Sequence, residues 1–376
     1  MAKHLSSLFA RINQLRSLDW LLVLALFILV ALGLSAIYSV ELSFEAGTFL
    51  NMKKQMFAVG IGLVVVCLFA LSNYRLLSNY ALVAYLAGVV LLIGVLIWGQ
   101  MIRGAQGWFV FGPVSFQPVE FMKVVLIISL ATYFGERARR VFGLKELLMS
   151  LGITLVPVAL VLLQPDFGSA FMLMGIWFIM TVFAGLPIRY FSVLSVLLVL
   201  ISIFSWFFLL MPYQKDRIVT FVDPTHDQLG QGYNVNQAII AIGAGGMFGR
   251  GLGFGSQSQL KFLPESQTDF IFAVIAEELG LFGIILVIGA FLLLFYRLFD
   301  CVFKARDNFT AYLLLGIVAI LFLQILVNIG MNLGLFPVTG IGLPYVSYGG
   351  SSLIFLLILV GIAQSVSMSI RHSGGR

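Results

Sequence analysis

Ten runs of apolar residues dominate this 376-residue chain, at 20–39, 56–72, 80–99, 118–135, 147–163, 169–187, 190–211, 270–296, 309–335 and 351–369. A helix rises 1.5 Å per residue and the hydrocarbon core of a bilayer is about 30 Å thick, so a crossing takes roughly 20 residues. Backbone at that depth must satisfy its own hydrogen bonds, so the runs predict helices. Composition agrees: 61% of residues are hydrophobic and 10% charged, against about 25% charged in soluble domains. No single soluble core buries that much apolar surface. The expected fold class is an all-α integral membrane protein of about ten transmembrane helices, one polytopic domain over 1–376. No fixed-period repeat or low-complexity tract divides it.

Basic residues predict the orientation, because cytoplasmic loops collect Lys and Arg. With the N-terminus inside, fourteen of them fall in inner segments, among them Arg11, Arg16, Arg75, Arg137, Arg139, Arg140, Arg297 and Lys304. Seven fall outside: Lys53, Lys54, Arg103, Lys215, Arg217, Arg250 and Lys261. Both termini are then cytoplasmic (1–19 and 370–376), and 212–268 is a large extracytoplasmic loop between spans seven and eight. Its apolar content predicts packing, with a short helix over Asn236–Ile242. The basic start precedes a run long enough to span, which argues against a cleavable signal peptide. The formal charge of +6 reads as a set of topology determinants, not a nucleic-acid surface. Two cysteines and three dispersed histidines give neither a disulfide framework nor zinc-ligand spacing. Asp223-Pro224-Thr225-His226-Asp227 lacks the spacing of a calcium loop.

Several polar groups stand where they are costly. Gln117, Glu120 and Lys123 are spaced by three at the start of the fourth span, so they share a helical face. Charges at membrane depth usually face a bundle interior or a wet cavity; a pair that only locks two helices is the alternative. Gln164-Pro165-Asp166-Phe167-Gly168 reads either as a site or as a tight turn with Asp166 capping the next helix. The eighth span opens at Leu263-Pro264-Glu265-Ser266-Gln267-Thr268-Asp269. From Asp269 to Tyr296 a continuous helix would measure about 42 Å, which puts Asp269 at the headgroup level with Glu277 and Glu278 deeper. Asp269 there suits a general base, and a helix cap at Thr268 or Asp269 is the other reading. The segment from Thr339 to Ser352 combines glycines with Ser347, Tyr348, Gly350 and Ser351 ahead of the last span. It is either an anion site built from backbone N–H groups or a turn that needs glycine. Basic residues on the side that topology disfavours point to an anionic lipid-linked ligand.

Six motifs, in order along most of the chain, resemble the SEDS family of cell-wall polymerases. They are Gln117-Pro118-x-Glu120-x-x-Lys123; Gln164-Pro165-Asp166-x-Gly168; Arg217 followed by Asp223-Pro224; Gly230-Gln231-Gly232-Tyr233 with Gln237; Leu263-Pro264-Glu265 with Thr268–Phe272 and Glu277-Glu278-Leu279-Gly280; and Thr339-Gly340 with Ser347–Ser352. Within that family Ser256–Leu260 and Pro337–Gly340 resemble the elongation branch more than the division branch. Val119, Ala238, Gly342 and Asn332 depart from the usual pattern, the last by placing an amide where an apolar residue is usual. These departures bear on substrate geometry and touch no charged motif residue.

The resemblance implies a peptidoglycan glycosyltransferase that polymerises lipid II into β-1,4 glycan strands and releases undecaprenyl diphosphate, for cell elongation. Asp269 would be the base, Glu120 and Lys123 would shape the cavity, and Arg103 and Arg217 would meet the diphosphate. Gln117, Gln164, Asp166, Gln237, Ser347, Tyr348, Gly350 and Ser351 would complete the lining. No cofactor is implied with certainty, and a divalent cation, magnesium or manganese, is left open. Expected partners are lipid II and undecaprenyl-diphosphate-linked glycan, a class B penicillin-binding protein and elongation-complex membrane proteins, with no nucleic acid. The expected location is the bacterial plasma (inner) membrane, with the site on the extracytoplasmic side. Rival readings are a lipid II flippase, which would need a polar route through the bilayer, and a scaffold for a transpeptidase.

Overall fold

A computed structural model describes residues 18–43, 49–102, 104–112, 114–138, 141–208, 215–216, 219–221 and 231–374. The chain rises through α1 (Trp20–Leu42) and returns through α2 (Leu50–Ala70). A single turn, α3 (Leu76–Asn79), leads into α4 (Ala81–Trp98). Three short strands follow, β1 (Gln100–Ile102), β2 (Ala105–Phe111) and β3 (Val114–Phe116). Next come α5 (Pro118–Arg137), α6 (Leu144–Leu162), α7 (Phe167–Phe183) and α8 (Ile188–Phe208). After α9 (Gln231–Gly245) and the turn α10 (Ser256–Gln259), the chain closes with α11 (Ile271–Phe303), α12 (Asn308–Asn332) and α13 (Gly350–Gly374). Each of the ten apolar runs therefore carries a helix among the described residues. Among the described residues nine are long and apolar enough to cross a membrane, and α7 is apolar with 17 residues.

Helices α5, α12 and α13 are mostly buried and form the centre of the bundle. Large side chains such as Phe57, Leu82, Val90 and Phe207 stay exposed on the periphery, where hydrocarbon is their natural solvent. Lipid is as apolar as leucine, so helices associate through close packing. Between α2 and α13 small residues provide it: Gly62 faces Leu357, and Gly361 faces Val66 and Phe69. Pro118 takes the first turn of α5, where its missing N–H is no loss.

The three strands form an antiparallel meander in the order β1-β2-β3, with Phe109 opposite Phe116. The sequence reading had only a loop there, because strands of three to seven residues between two spans leave little periodicity. The sheet runs directly into α5 and sits at the end of the bundle called here the sheet end. Helix α2 also starts earlier than expected, at Leu50 instead of 56, so Lys53 and Lys54 lie in its first turns.

The expected continuous eighth helix is broken. Gly280 takes φ 65°, ψ −155° inside α11, about nine residues or 14 Å from its start. The broken ladder is completed from outside: Arg250 and Gly251 donate backbone N–H to the Glu277 and Glu278 carbonyls at 3.0 and 2.9 Å, and Leu281 N–H donates to the Gly246 carbonyl at 2.9 Å. Helix α9, longer than the expected Asn236–Ile242, leads to this point, with Gly245 against the Ala276 carbonyl. The two buried acids anchor the same segment. Glu277 accepts from Gln257 N (2.8 Å) and Ser258 N (3.2 Å), which caps α10. Glu278 accepts from Ser39 Oγ and from Gly253 N.

The opposite end holds a charge cluster built around Asp19. Asp19, fully buried, meets Arg297 Nη2 at 2.5 Å and Nε at 2.8 Å, and Arg371 Nη2 at 3.3 Å. Gln364 accepts from the Asp19 N–H (2.9 Å) and donates to its carbonyl (3.1 Å). The cluster ties α1, α11 and α13 together.

Two stability measurements test these features. Gly280→Ala forces a side chain into a backbone region that only glycine adopts readily and drives its Cβ into Gly249 N, so it should cost about 3 kcal/mol; an unchanged thermal midpoint would contradict the wedge. Asp19→Ala removes the buried partner of Arg297 and leaves it Asp300 at 3.2 Å, so it should cost about 1.5–3 kcal/mol, the range for hydrogen bonds to charged groups, read by the same melt.

Candidate active site

Helix starts from distant parts of the chain meet at the sheet end in a closed ring of contacts. Gln117, the N-cap residue of α5, donates its backbone N–H to Ser351 Oγ (3.2 Å) at the start of α13 and its side-chain amide to Asp166 Oδ2 (3.4 Å). Asp166 in turn caps α7, accepting from Ser169 N (2.9 Å) and Ser169 Oγ (2.7 Å). The cap reading of Asp166 is realised, and the same carboxylate also meets Gln117. Gly168 lies so close to the Thr339 carbonyl that a Cβ would come within 2.6 Å of it. The next residue, Gly340, faces Asp269: a Cβ there would sit 3.9 Å from Oδ2. From Asp269 the ring returns through Ser347 Oγ, which donates to the Thr268 carbonyl (2.6 Å) and accepts from Leu343 N (2.7 Å). Tyr348 N donates to the Gln267 carbonyl (2.8 Å), and three residues later the chain is back at Ser351.

Asp269 is fixed by backbone. The N–H groups of Thr268, Asp269 and Phe270 converge on the Glu265 carbonyl at 3.1, 3.1 and 3.3 Å. Glu265 (φ 52°) and Tyr345 (φ 63°) both adopt a left-handed conformation that surrounding structure must enforce, and they bracket the two loops of the ring. The N-cap residue of α11 is Phe270, without a side-chain cap, so neither Thr268 nor Asp269 is the N-cap residue. The Asp269 carbonyl accepts from Asn328 Nδ2 (3.0 Å) and Asn332 Nδ2 (2.9 Å), and Asn332 Oδ1 accepts from Ala273 N (3.2 Å). With Gln324 these buried amides repeat every four residues on α12. That spacing in an apolar span is the signal that would have found them; the sequence reading noted Asn332 only as a departure.

Lys123 Nζ pairs with Glu120 Oε1 at 2.8 Å, both side chains buried. They lie about 5 and 9 Å along α5 from Gln117, toward the middle of the bundle. Gln164 stands behind Asp166, donating to the Leu92 carbonyl (3.4 Å) and accepting at its own carbonyl from Gln106 N of β2 (3.3 Å). Gly107 of β2 passes between the amides of Gln164 and Gln117. Gln237 lies on α9, whose Val235 and Ile239 face Gly334, next to the loop that carries Thr339. The glycines before Ser351 do not form an open cradle: Gly349 N–H already donates to Gln55 Oε1 (3.1 Å), and Gln55 Nε2 donates to the Ser347 carbonyl (3.2 Å). Gly350 is the first residue of α13. Arg103, Arg217 and the Asp223–Asp227 stretch lie outside the described residues.

Three supporting residues escaped the sequence reading. Glu41 accepts from Asn51 N (2.7 Å) and Met52 N (3.1 Å), serving as a cap for α2 from the neighbouring helix. Asn51 donates to Gln267 Oε1 (2.7 Å), and Gln55 binds the 347–349 turn. Lys53 and Lys54 between them masked the helix start. Among the described residues no group of three or more His, Cys, Asp or Glu side chains could hold a metal ion. The chemistry available is a carboxylate, Asp269, half-buried at the positive end of a helix, beside a glycine turn and within a ring of hydrogen-bonding groups.

The profile of the FtsW/RodA/SpoVE family, described as cell cycle proteins, matches residues 17–372. Stage V sporulation protein E of Bacillus subtilis is 36% identical over 364 residues, covering 94% of this chain and 98% of that protein. Peptidoglycan glycosyltransferase MrdB of Escherichia coli is 40% identical over 268 residues, covering 71% of this chain and 72% of that one. A chain from the solved structure of a peptidoglycan synthase complex, in which polymerisation and crosslinking are coordinated, superimposes with a TM-score of 0.80 at 34% identity, over 94% of this chain and 98% of that chain. The match along nearly the whole length, on the fold and motifs described above, makes this chain a member of the FtsW/RodA/SpoVE (SEDS) family.

Proposed function

We propose that the chain is a peptidoglycan glycosyltransferase that polymerises lipid II at the extracytoplasmic face of the bacterial plasma membrane. The observation that carries this reading is Asp269, a carboxylate clamped through its backbone at the start of α11 and facing the Gly340 turn. The named activity of the MrdB relative supports the reaction class. Asp269 takes the proton of the acceptor 4-hydroxyl, the oxygen attacks C1 of the donor sugar, and the bonding electrons leave with undecaprenyl diphosphate. Diphosphate is a good leaving group, so a base and positive potential suffice. The starts of α5, α7, α11 and α13 contribute partial positive charge at the ring; Arg103 and Arg217 are proposed to add full charges. Lys123 is committed to Glu120, and the pair is assigned to shaping the cavity. The donor groups among the described residues build no protein metal site, so no step is given to magnesium or manganese.

The elongation branch is proposed from Ser256–Leu260 and Pro337–Gly340. A class B penicillin-binding protein is the proposed partner, supported by the similar chain in a synthase complex that couples polymerisation to crosslinking. Elongation-complex membrane proteins are the wider setting. The broken α11 and the buried Glu120–Lys123 pair are features a lipid II transporter would share. The break is filled by the 246–251 segment, which favours the enzyme.

Asp269→Asn should reduce glycan synthesis from lipid II by about 10²–10⁴-fold with insertion and melting unchanged; undiminished synthesis would remove Asp269 from the base role. For the ion pair, Lys123→Met alone should cost about 3–5 kcal/mol, while the double variant Glu120→Leu/Lys123→Met should recover the stability. Polymerisation should stay low in the double variant. Recovery of polymerisation as well would reduce the pair to a lock between helices.

A further inference from the structure

Asn332 uses all of its hydrogen-bonding groups at one junction. Its Oδ1 accepts from Ala273 N–H (3.2 Å), and its Nδ2 donates to the carbonyls of Asp269 (2.9 Å) and Asn328 (2.8 Å). Ala273 is the third residue of α11. Its N–H is the donor that an N-cap side chain ordinarily receives. Phe270 has no acceptor in its side chain, so a residue from another helix fills that place. Asn332 is fully buried, so water does not compete for these bonds. Asn328, also fully buried, adds a second donor to the Asp269 carbonyl and one to the Ile341 carbonyl (2.8 Å). The two amides therefore bind both the peptide that follows Asp269 and the turn that carries Gly340.

We infer that Asn332, assisted by Asn328, is a positioning residue for glycosyl transfer. The inference rests on Asp269 as the base. Its physical content is the direction of one side chain. A carboxylate on a short stem reaches only a few positions around its own backbone, and the Asp269 backbone is held by two donors from α12. Asn332 also takes the Ala273 N–H, a donor that would otherwise be open to a carboxylate, and Asp269 stands four residues before it in the chain. An aspartate turned inward to cap its own helix is withdrawn from an acceptor hydroxyl. Asn332 thus orients the backbone and settles the competing bond. A displacement of the order of an ångström is enough to slow a positioned reaction by about two orders of magnitude.

The test is steady-state polymerisation of lipid II by the purified full-length protein reconstituted with its transpeptidase partner, with rates normalised to folded protein. Asn332→Leu should lower kcat at least tenfold and leave KM for lipid II within twofold. Asn332→Ser, which keeps a small hydroxyl too short to reach both Ala273 N and the Asp269 carbonyl, should show a smaller fall in kcat with the same KM and keeps the test open if the leucine variant does not fold. A kcat per folded protein equal to wild type in either variant, or a rise in KM at constant kcat, overturns the inference. Asp269→Asn run in parallel separates the two claims. If it still polymerises, the base assignment fails; if it is inactive while Asn332→Leu turns over normally, only the positioning role fails.

Discussion

A bilayer offers the backbone no hydrogen-bond partners, and every irregular feature of this bundle answers to that constraint. Gly280 breaks α11 only because Arg250, Gly251 and the Gly246 carbonyl complete the interrupted ladder. The turn before α11 is tolerated because Glu265 gathers three N–H groups on one carbonyl. The first turn of α11 has no cap of its own, and Asn332 provides one from α12. The candidate site is built from these repairs. At the start of α11, the groups that satisfy stray backbone atoms, the Glu265 carbonyl and the Asn328 and Asn332 amides, are also the ones that hold the Asp269 backbone.

How much of this was legible in the sequence depended on range. The spans follow from apolar length alone: among the described residues nine of the ten runs hold helices long enough to cross, and the sixth holds the 17-residue α7. Asp166 as a cap, and Glu120 with Lys123 on one face, depend on residues three apart, which a linear reading handles well. The ring does not: Gln117 meets Ser351 across more than 230 positions, and Thr268 meets Ser347 across 79. Glu41 capping α2 breaks the usual rule that a helix is capped by its own flanking residue. The Gly280 break was hidden because an apolar run with one glycine reads as a continuous helix; its partner segment lies some thirty residues earlier, in what read as a loop.

The geometry also reassigns roles that a motif cannot separate. Glu277 and Glu278 belong to the same conserved-looking string as Asp269, yet they point into the 253–258 segment and hold it. The glycine tract before α13 looks like a phosphate cradle, yet Gln55 occupies one of its N–H groups. Lys123 looks like a phosphate ligand, yet Glu120 neutralises it inside the bundle. The proposed chemistry draws on fewer residues than the motif list, with Asp269 and the Gly340 turn at its centre.

The charge cluster at the opposite end has a consequence for how the chain is made. Asp19 stands before the first helix, and its partners Arg297, Gln364, Ser367 and Arg371 belong to α11 and α13. During synthesis α1 reaches the bilayer while those residues are still unmade. A bare carboxylate must then remain at the water boundary, and α1 cannot settle to its final depth. Arg297 on α11 is the first of these partners to arrive, and α13 completes the set. A chain cut short before α11 has none of them for Asp19, so its first helix lacks the anchor that seats it.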